Sequence, residues 1–428
     1  MPLLSPALPQ AHPTPPARLD FLDGLRGLAA LGVVAHHFTA AFYPTSMTGD
    51  GATTHLPGTW EADFAASPLH VLLNFRVCFF FVLSGLVLAE SAGRLPRGWR
   101  TLAAQLVRRY VRLGAPVAVS TALAFGLLRG QWFYNQPAAA ASGAGWFASF
   151  WHWVPGFEQF ATDALWGVML RGQASYNPVV WTMVVEWNGS VLVLALLALL
   201  GGWRWRLLAY AALALAFTLG RLNFYYVAFL LGLGLHDVYR RDWASQLRPI
   251  WRRLLVAALL LAALVAASKP QIFYHAPKAG STYDWMRLPG VSPDRTVQFY
   301  HTIGAVALLA AVLLSARLRR LTDVDLLRRV GKRAFSLYLT HFLWLGSGAS
   351  ALFLALRPYF SYHVSFGLMV LGTVAVLVPT TNLFYRYVDV PSHKLARWLS
   401  QRILGNPFGS NSEARATTIH PAKPERQY

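Results

Sequence analysis

Ten apolar runs occupy most of this chain and leave few folds open to it. They lie at roughly 25–42, 69–89, 110–128, 179–200, 204–220, 223–236, 252–268, 298–315, 334–356 and 364–386. A helix needs about 20 mostly apolar residues to cross about 30 Å of hydrocarbon. Within hydrocarbon, each backbone N–H and C=O must be satisfied internally, which a helix does along its own length. The pattern predicts an all-α, polytopic integral membrane protein with about ten transmembrane helices. The fifth and sixth runs are short, and the sixth, drawn tightly, would be a buried or tilted segment.

The first run does not read as a cleavable signal peptide. A Pro-rich leader precedes it, and it holds Arg26, His36 and His37. Residues 1–18 are predicted to be a disordered polar leader and 401–428 a disordered tail, which leaves 19–400 as one transmembrane domain.

Composition agrees with this class. The chain is 55% hydrophobic but only 13% charged, well below the roughly 25% usual for soluble domains. Its formal charge is nevertheless +20, from 38 Lys and Arg against 18 Asp and Glu. Laid onto the ten runs, 28 of the 38 fall on the side shared by both termini and 8 on the other, with Arg26 and Arg76 inside runs. Cytoplasmic loops are the ones rich in Lys and Arg, so both termini are predicted cytoplasmic. The charge then reports orientation and membrane lipids rather than nucleic acid. The single cysteine, Cys78, excludes an intramolecular disulfide and a multi-Cys metal site, and no metal is expected. The segment 129–178, rich in Trp and Phe, is either an amphipathic or re-entrant piece at the interface or an ordinary packed loop.

Ionisable side chains inside hydrocarbon cost about 2.5–3.5 kcal/mol on insertion scales, so each is a candidate site residue. In the first run Arg26 and His37 are eleven positions apart. At about 100° and 1.5 Å per residue they share a helix face about 16 Å apart along the axis. Asp23, three positions before Arg26, can pair with it. His37 would lie near the midplane, where it suits a general base acting on a hydroxyl, or a structural histidine bonded to a neighbouring helix. His36, rotated by about 100°, faces elsewhere.

Arg76 opens the second run, ahead of Phe79–Gly85, whose Ser84-Gly85 pair suits close helix packing. Glu186 follows Trp181 and Thr182 in the fourth run. Tyr338 and His341 share a face in the ninth. A glutamate and two histidines near the midplane suit either an enzyme or a proton-coupled transporter, although no internal repeat or pair of broken helices supports the latter. Arg108, Arg109 and Arg112 are clustered on one helix ahead of Pro116. They read either as topology signals touching lipid headgroups or as an anion site, since arginine forks match phosphate.

Taken in order, these blocks resemble the acyltransferase 3 family of integral membrane acyltransferases. The resemblance is carried by Leu22-Asp23-Gly24-Leu25-Arg26-Gly27-Leu28-Ala29-Ala30 with His37, by Phe79–Gly85, and by Arg108-Arg109-Tyr110-Val111-Arg112-Leu113 with Pro116. It continues in Trp181-Thr182 with Glu186, Phe335–His341 and Val388-Asp389-Val390-Pro391. It implies transfer of an acyl group, often acetyl, from acetyl-CoA or another acyl-CoA to a hydroxyl of a carbohydrate, lipid or secondary metabolite, with no permanently bound cofactor. His37, Arg26 and Glu186 would be catalytic. Arg108, Arg109 and Arg112 would hold the donor, and Arg76, Trp181, Tyr338 and His341 would contact substrate. Two positions depart from the family pattern: Asn188 stands where an aromatic residue is usual, and Asp389 where glutamate is.

Overall fold

The structure, a computed structural model, describes residues 20–45, 54–55, 61, 75–93, 95–96, 98–220, 222–269 and 284–405, and every regular element among them is helical. The chain runs through α1 (Phe21–Phe42), α2 (Arg76–Ala92) and α3 (Trp99–Arg129). Three short helices follow, α4 (Asn135–Ser142), α5 (Gly145–Ala148) and α6 (Phe157–Thr162). Next come α7 (Thr182–Leu200), α8 (Arg206–Leu219), α9 (Tyr225–Arg240) and α10 (Pro249–Ala267). The last third holds α11 (Pro293–Leu314), α12 (Ala316–Thr322), α13 (Asp325–Lys332), α14 (Ala334–Trp344) and α15 (Ser350–Leu356). It closes with α16 (Tyr362–Phe384) and α17 (Val390–Leu404). The expected leader 1–18, the start of the second run at 69–74 and the tail beyond 405 lie outside the described residues.

Seven stretches are long and apolar enough to cross a membrane: Phe21–Phe42, Trp99–Arg129, Pro178–Leu200, Pro249–Ala267, Pro293–Leu314, Ala334–Leu356 and Tyr362–Leu404. The other three apolar runs fall on α2, α8 and α9, helices of 17, 14 and 16 residues. Leu208, Leu215 and Leu219 on α8, Leu261 and Leu264 on α10, and Leu371, Val374 and Val378 on α16 point outward. A hydrocarbon phase would cover such faces.

Two helices outrun their apolar stretches, and tertiary packing supplies the reason. α3 begins at Trp99, eleven residues before the run at 110, because its polar first turns lie along α17. Ala104 is fully buried there, and Ser400 of α17, also fully buried, donates to the Ala104 carbonyl at 3.3 Å. The same contact carries the last helix beyond residue 386, through a π-helical stretch at Tyr385–Asp389 and on to Leu404.

Close approaches are made at glycines. A side chain at Gly85 of α2 would collide with the Phe229 carbonyl of α9, and one at Gly232 of α9 with the Val82 carbonyl of α2, so Ser84-Gly85 is a helix-packing point. In the opening motif, Gly27 of α1 lies against the backbone at Leu327 and Gly331 of α13. The motif's glycine therefore holds α1 where its polar face enters the core. One end of α1, with Phe21, Leu22 and Leu25, joins the apolar cluster built by α2, α7, α9 and α11. Its other end, with Phe38, Ala41 and Phe42, joins the cluster of α3, α4, α14 and α15. His37 stands near the seam between the two.

Candidate active site

At that seam His37 Nδ1 and His341 Nε2 are 2.8 Å apart, joining α1 to α14. His341 is fully buried, whereas His37 keeps partial access. The second nitrogen of His341, Nδ1, donates to the Leu337 carbonyl at 3.1 Å, an oxygen that can only accept. With its one proton committed there, a neutral His341 accepts at Nε2, and the proton between the rings belongs to His37 Nδ1. The lone pair of His37 is then on Nε2, the nitrogen left for chemistry. Phe342 packs edge-on to the His37 ring, centroids 5.1 Å apart, and limits its rotation.

The neighbourhood of His341 is braced in part by two residues the sequence alone did not single out, Asn177 and Ser120. Asn177 donates to Ser120 Oγ at 2.6 Å and to the Leu339 carbonyl at 2.9 Å, and Ser120 donates to the same carbonyl at 3.2 Å. Tyr338 donates its hydroxyl to the Val179 carbonyl, and the Thr182 hydroxyl donates to Tyr338 Oη at 2.7 Å. Phe147 and Trp151 of the segment 129–178 are buried against Phe342, and Trp151 donates to the Tyr176 carbonyl at 2.7 Å. Of the two readings of that segment, the packed one describes these aromatics: they pack on Phe342, which in turn lies against His37 and His341.

Along α1 towards its N-terminus lies a second polar cluster. Arg26 pairs with Asp23 at 2.7 Å. Arg109 is bound by Glu186 of α7 and donates through Nε to Ser190 at 3.0 Å. Arg108 turns the other way and donates to Ser400 of α17 at 3.2 Å. Arg112 has Arg109, Asp389 and Arg26 within electrostatic range and is itself exposed. One turn before Arg109, Gln105 borders a cavity of about 510 Å³, whose Arg206–Asp237 and Arg240–Glu90 pairs satisfy one another.

The structure thus brings His37 together with His341 and Tyr338, and Arg26 with Arg109, Arg112 and Glu186. Glu186, expected near the two histidines, binds Arg109 and also lies within electrostatic range of Tyr338, whose ring packs 5.9 Å from that of His341. Trp181 turns away, its ring 5.6 Å from Tyr225 and 38% exposed. Arg76 stays with the histidines, within electrostatic range of His37 and His341. Missed altogether was His301 of α11, 2% exposed, which donates to the Lys269 carbonyl at 2.8 Å. The rule that flags ionisable residues in apolar runs applies to it equally.

Apolar helices enclosing a histidine pair and an arginine cluster define an integral, multi-pass membrane protein with a polar site in its core. The sequence model of the acyltransferase domain matches residues 19–382, and the chain belongs to this acyltransferase 3 family, as an O-acyltransferase. It is 24% identical over 436 aligned positions to O-acetyltransferase PaAT-1 of Phomopsis amygdali, covering 90% of this chain and 85% of that protein. No solved structure matches.

Proposed function

We propose that the protein moves an acyl group, acetyl in the simplest case, from an acyl-CoA to a hydroxyl of a carbohydrate, lipid or small natural product, with His37 as general base. The observation that carries this reading is the His37–His341 pair, whose hydrogen bonds leave an unprotonated Nε2 on the partly accessible ring. The acceptor O–H gives its proton to that nitrogen while its oxygen attacks the thioester carbonyl. The C–S bond then breaks, and the leaving thiolate takes the proton back from His37, giving an ester and free CoA. General base catalysis of this kind contributes about 10²–10⁴-fold, and a water-poor cavity holding both substrates adds more.

Donor phosphates fit the second cluster. Arg112 and Arg26 supply guanidinium groups there, and the rise of α1 puts Arg26 about 16 Å from His37, a gap for an extended pantetheine arm. Glu186 acts through Arg109, which it holds in place, rather than on substrate. All ten apolar runs cross the membrane in this reading, with both termini on the arginine side, so the donor enters from the cytoplasm. The name of the Phomopsis relative supports acetyl as the group moved and oxygen as the acceptor atom.

The test is to incubate purified protein with radiolabelled acetyl-CoA and an extract of hydroxylated metabolites. Label should appear in an ester product with wild type and be lost with His37→Ala. Normal turnover by a folded His37→Ala variant would remove the assignment.

A further inference from the structure

Arg76 is the charged group that this scheme leaves without a task. It opens α2 and is 7% exposed, and its Nη1 is buried with no hydrogen-bond partner. Two partly buried arginines are differently placed: Arg109 has Glu186, and Arg206 has Asp237. Among the described residues no carboxylate lies within electrostatic range of Arg76. Its charged-capable neighbours are three histidines, His37, His341 and His301. His301 commits Nε2 to the Lys269 carbonyl and His341 commits Nδ1 to the Leu337 carbonyl, so neither needs to be an ion and neither can offer negative charge. A buried guanidinium with a spare donor and, among the described residues, no counter-ion is stable where an anion forms. Beside His37, the reaction itself generates one.

We propose that Arg76 binds the oxyanion of the tetrahedral intermediate, which makes it a catalytic residue that touches the reacting atoms. The inference rests on the proposed acyl transfer and adds the group that stabilises its transition state. As His37 Nε2 takes the acceptor proton and the acceptor oxygen bonds to the thioester carbon, the carbonyl π pair moves onto oxygen. The Arg76 Nη1–H donates to that oxygen. On collapse the pair returns to re-form C=O, the C–S bond breaks, and the thiolate recovers the proton from His37. Arg76 gains and loses no proton. Because the charge exists only on the way to product, Arg76 should affect turnover and not donor affinity.

Full-length wild type, Arg76→Gln and Arg76→Lys are reconstituted in lipid nanodiscs, and thiol release from acetyl-CoA is followed with the hydroxylated metabolite extract as acceptor. Loss of one such donor typically costs about 10²–10³-fold in kcat. Arg76→Gln should show a fall of that size, with the acetyl-CoA KM and the Kd of CoA within about threefold of wild type, on the expectation of differential binding. Arg76→Lys, which keeps the charge but not the fork, should recover part of the loss. Should Arg76→Gln fail to accumulate as folded protein, Arg76→Lys decides by the same split. Unchanged kcat, or a raised KM with kcat retained, overturns the inference alone. Wild type that turns over no acyl-CoA removes the acyl-transfer reading and this inference with it.

Discussion

His37 Nδ1 lies 2.8 Å from His341 Nε2, and the Leu337 carbonyl on the far side of His341 fixes which of the two rings carries the shared proton. A neutral imidazole here does the orienting that a carboxylate does in a Ser-His-Asp triad: it selects the tautomer that leaves the working nitrogen basic. In the proposed mechanism His341 thereby positions His37.

His341→Ala should lower kcat by about 10²-fold with little change in donor KM, because orientation and not binding is removed. His341→Gln, whose Oε1 can accept from His37 Nδ1, should retain more activity than the alanine variant. His36→Ala is the companion variant. His36 is 5% exposed, so its loss should lower thermal stability while leaving turnover per folded molecule near wild type. Steady-state kinetics beside thermal unfolding in detergent separates the two effects, and equal activity of His341→Ala and His341→Gln would argue against the tautomer assignment.

The Arg109–Glu186 pair joins α3 to α7 with both side chains largely out of solvent, at 16% and 11% exposure. Removing one partner of a buried pair strands the other and costs about 3–5 kcal/mol, whereas removing both costs less per group. Glu186→Ala should therefore destabilise the protein by about 3 kcal/mol, and the Arg109→Ala/Glu186→Ala double variant should recover part of that loss. Glu186→Gln keeps an acceptor for Arg109 and should lose less than about tenfold in kcat, since in the proposed mechanism Glu186 holds Arg109 rather than substrate. A larger loss at unchanged stability would return Glu186 to the chemistry.

What the sequence made legible, and what it did not, follows from the physics of periodicity. Helical phase put Arg26 and His37 on one face, Asp23 within reach of Arg26, and Ser84-Gly85 at a close contact, and each of these depends on one helix alone. The partner of Glu186 depends on the relative rotation of α3 and α7, which no single helix encodes. Hence the pair of Glu186 with Arg109 could not be read from either helix by itself. The early start of α3 and the late end of α17 were hidden for the same reason, since two polar helix ends support each other only once packed together. The aromatic residues of 129–178 carried a signal of composition without a direction, and only the fold shows them closing over Phe342.

Asp163, in that same aromatic segment, is 2% exposed, and its Oδ2 finds no partner. Burial pushes its carboxyl above the usual carboxylate range, partly opposed by a hydrogen bond from Ser175. A folded-state pKa raised above the unfolded value of about 3.9 means that the folded state holds the proton longer. Stability from this group is present below that pH and declines as pH rises through the window up to the folded value. Asp163→Asn, which cannot ionise, should raise the melting temperature at pH 7 relative to wild type and give a smaller gain at pH 4. A gain that is independent of pH would show that the carboxyl is not the source.

Arg112 gives the sharpest separation of donor binding from chemistry. It is exposed, whereas Arg109 and Arg108 are already bonded to Glu186 and Ser400. A charge-assisted hydrogen bond to phosphate is worth about 1.5–3 kcal/mol, and each 1.4 kcal/mol is about tenfold in affinity. Arg112→Gln should therefore raise the KM for acetyl-CoA by about tenfold or more while kcat stays within a few-fold. Acetyl-pantetheine carries the same thioester without the nucleotide phosphates, so its KM should be nearly the same in the two proteins. The preference of wild type for acetyl-CoA over acetyl-pantetheine should accordingly shrink in the variant, and rising salt should erode it in wild type as the phosphate contact is screened. A substitution that impaired both donors equally would mean that Arg112 supports the local fold and that the phosphates bind elsewhere.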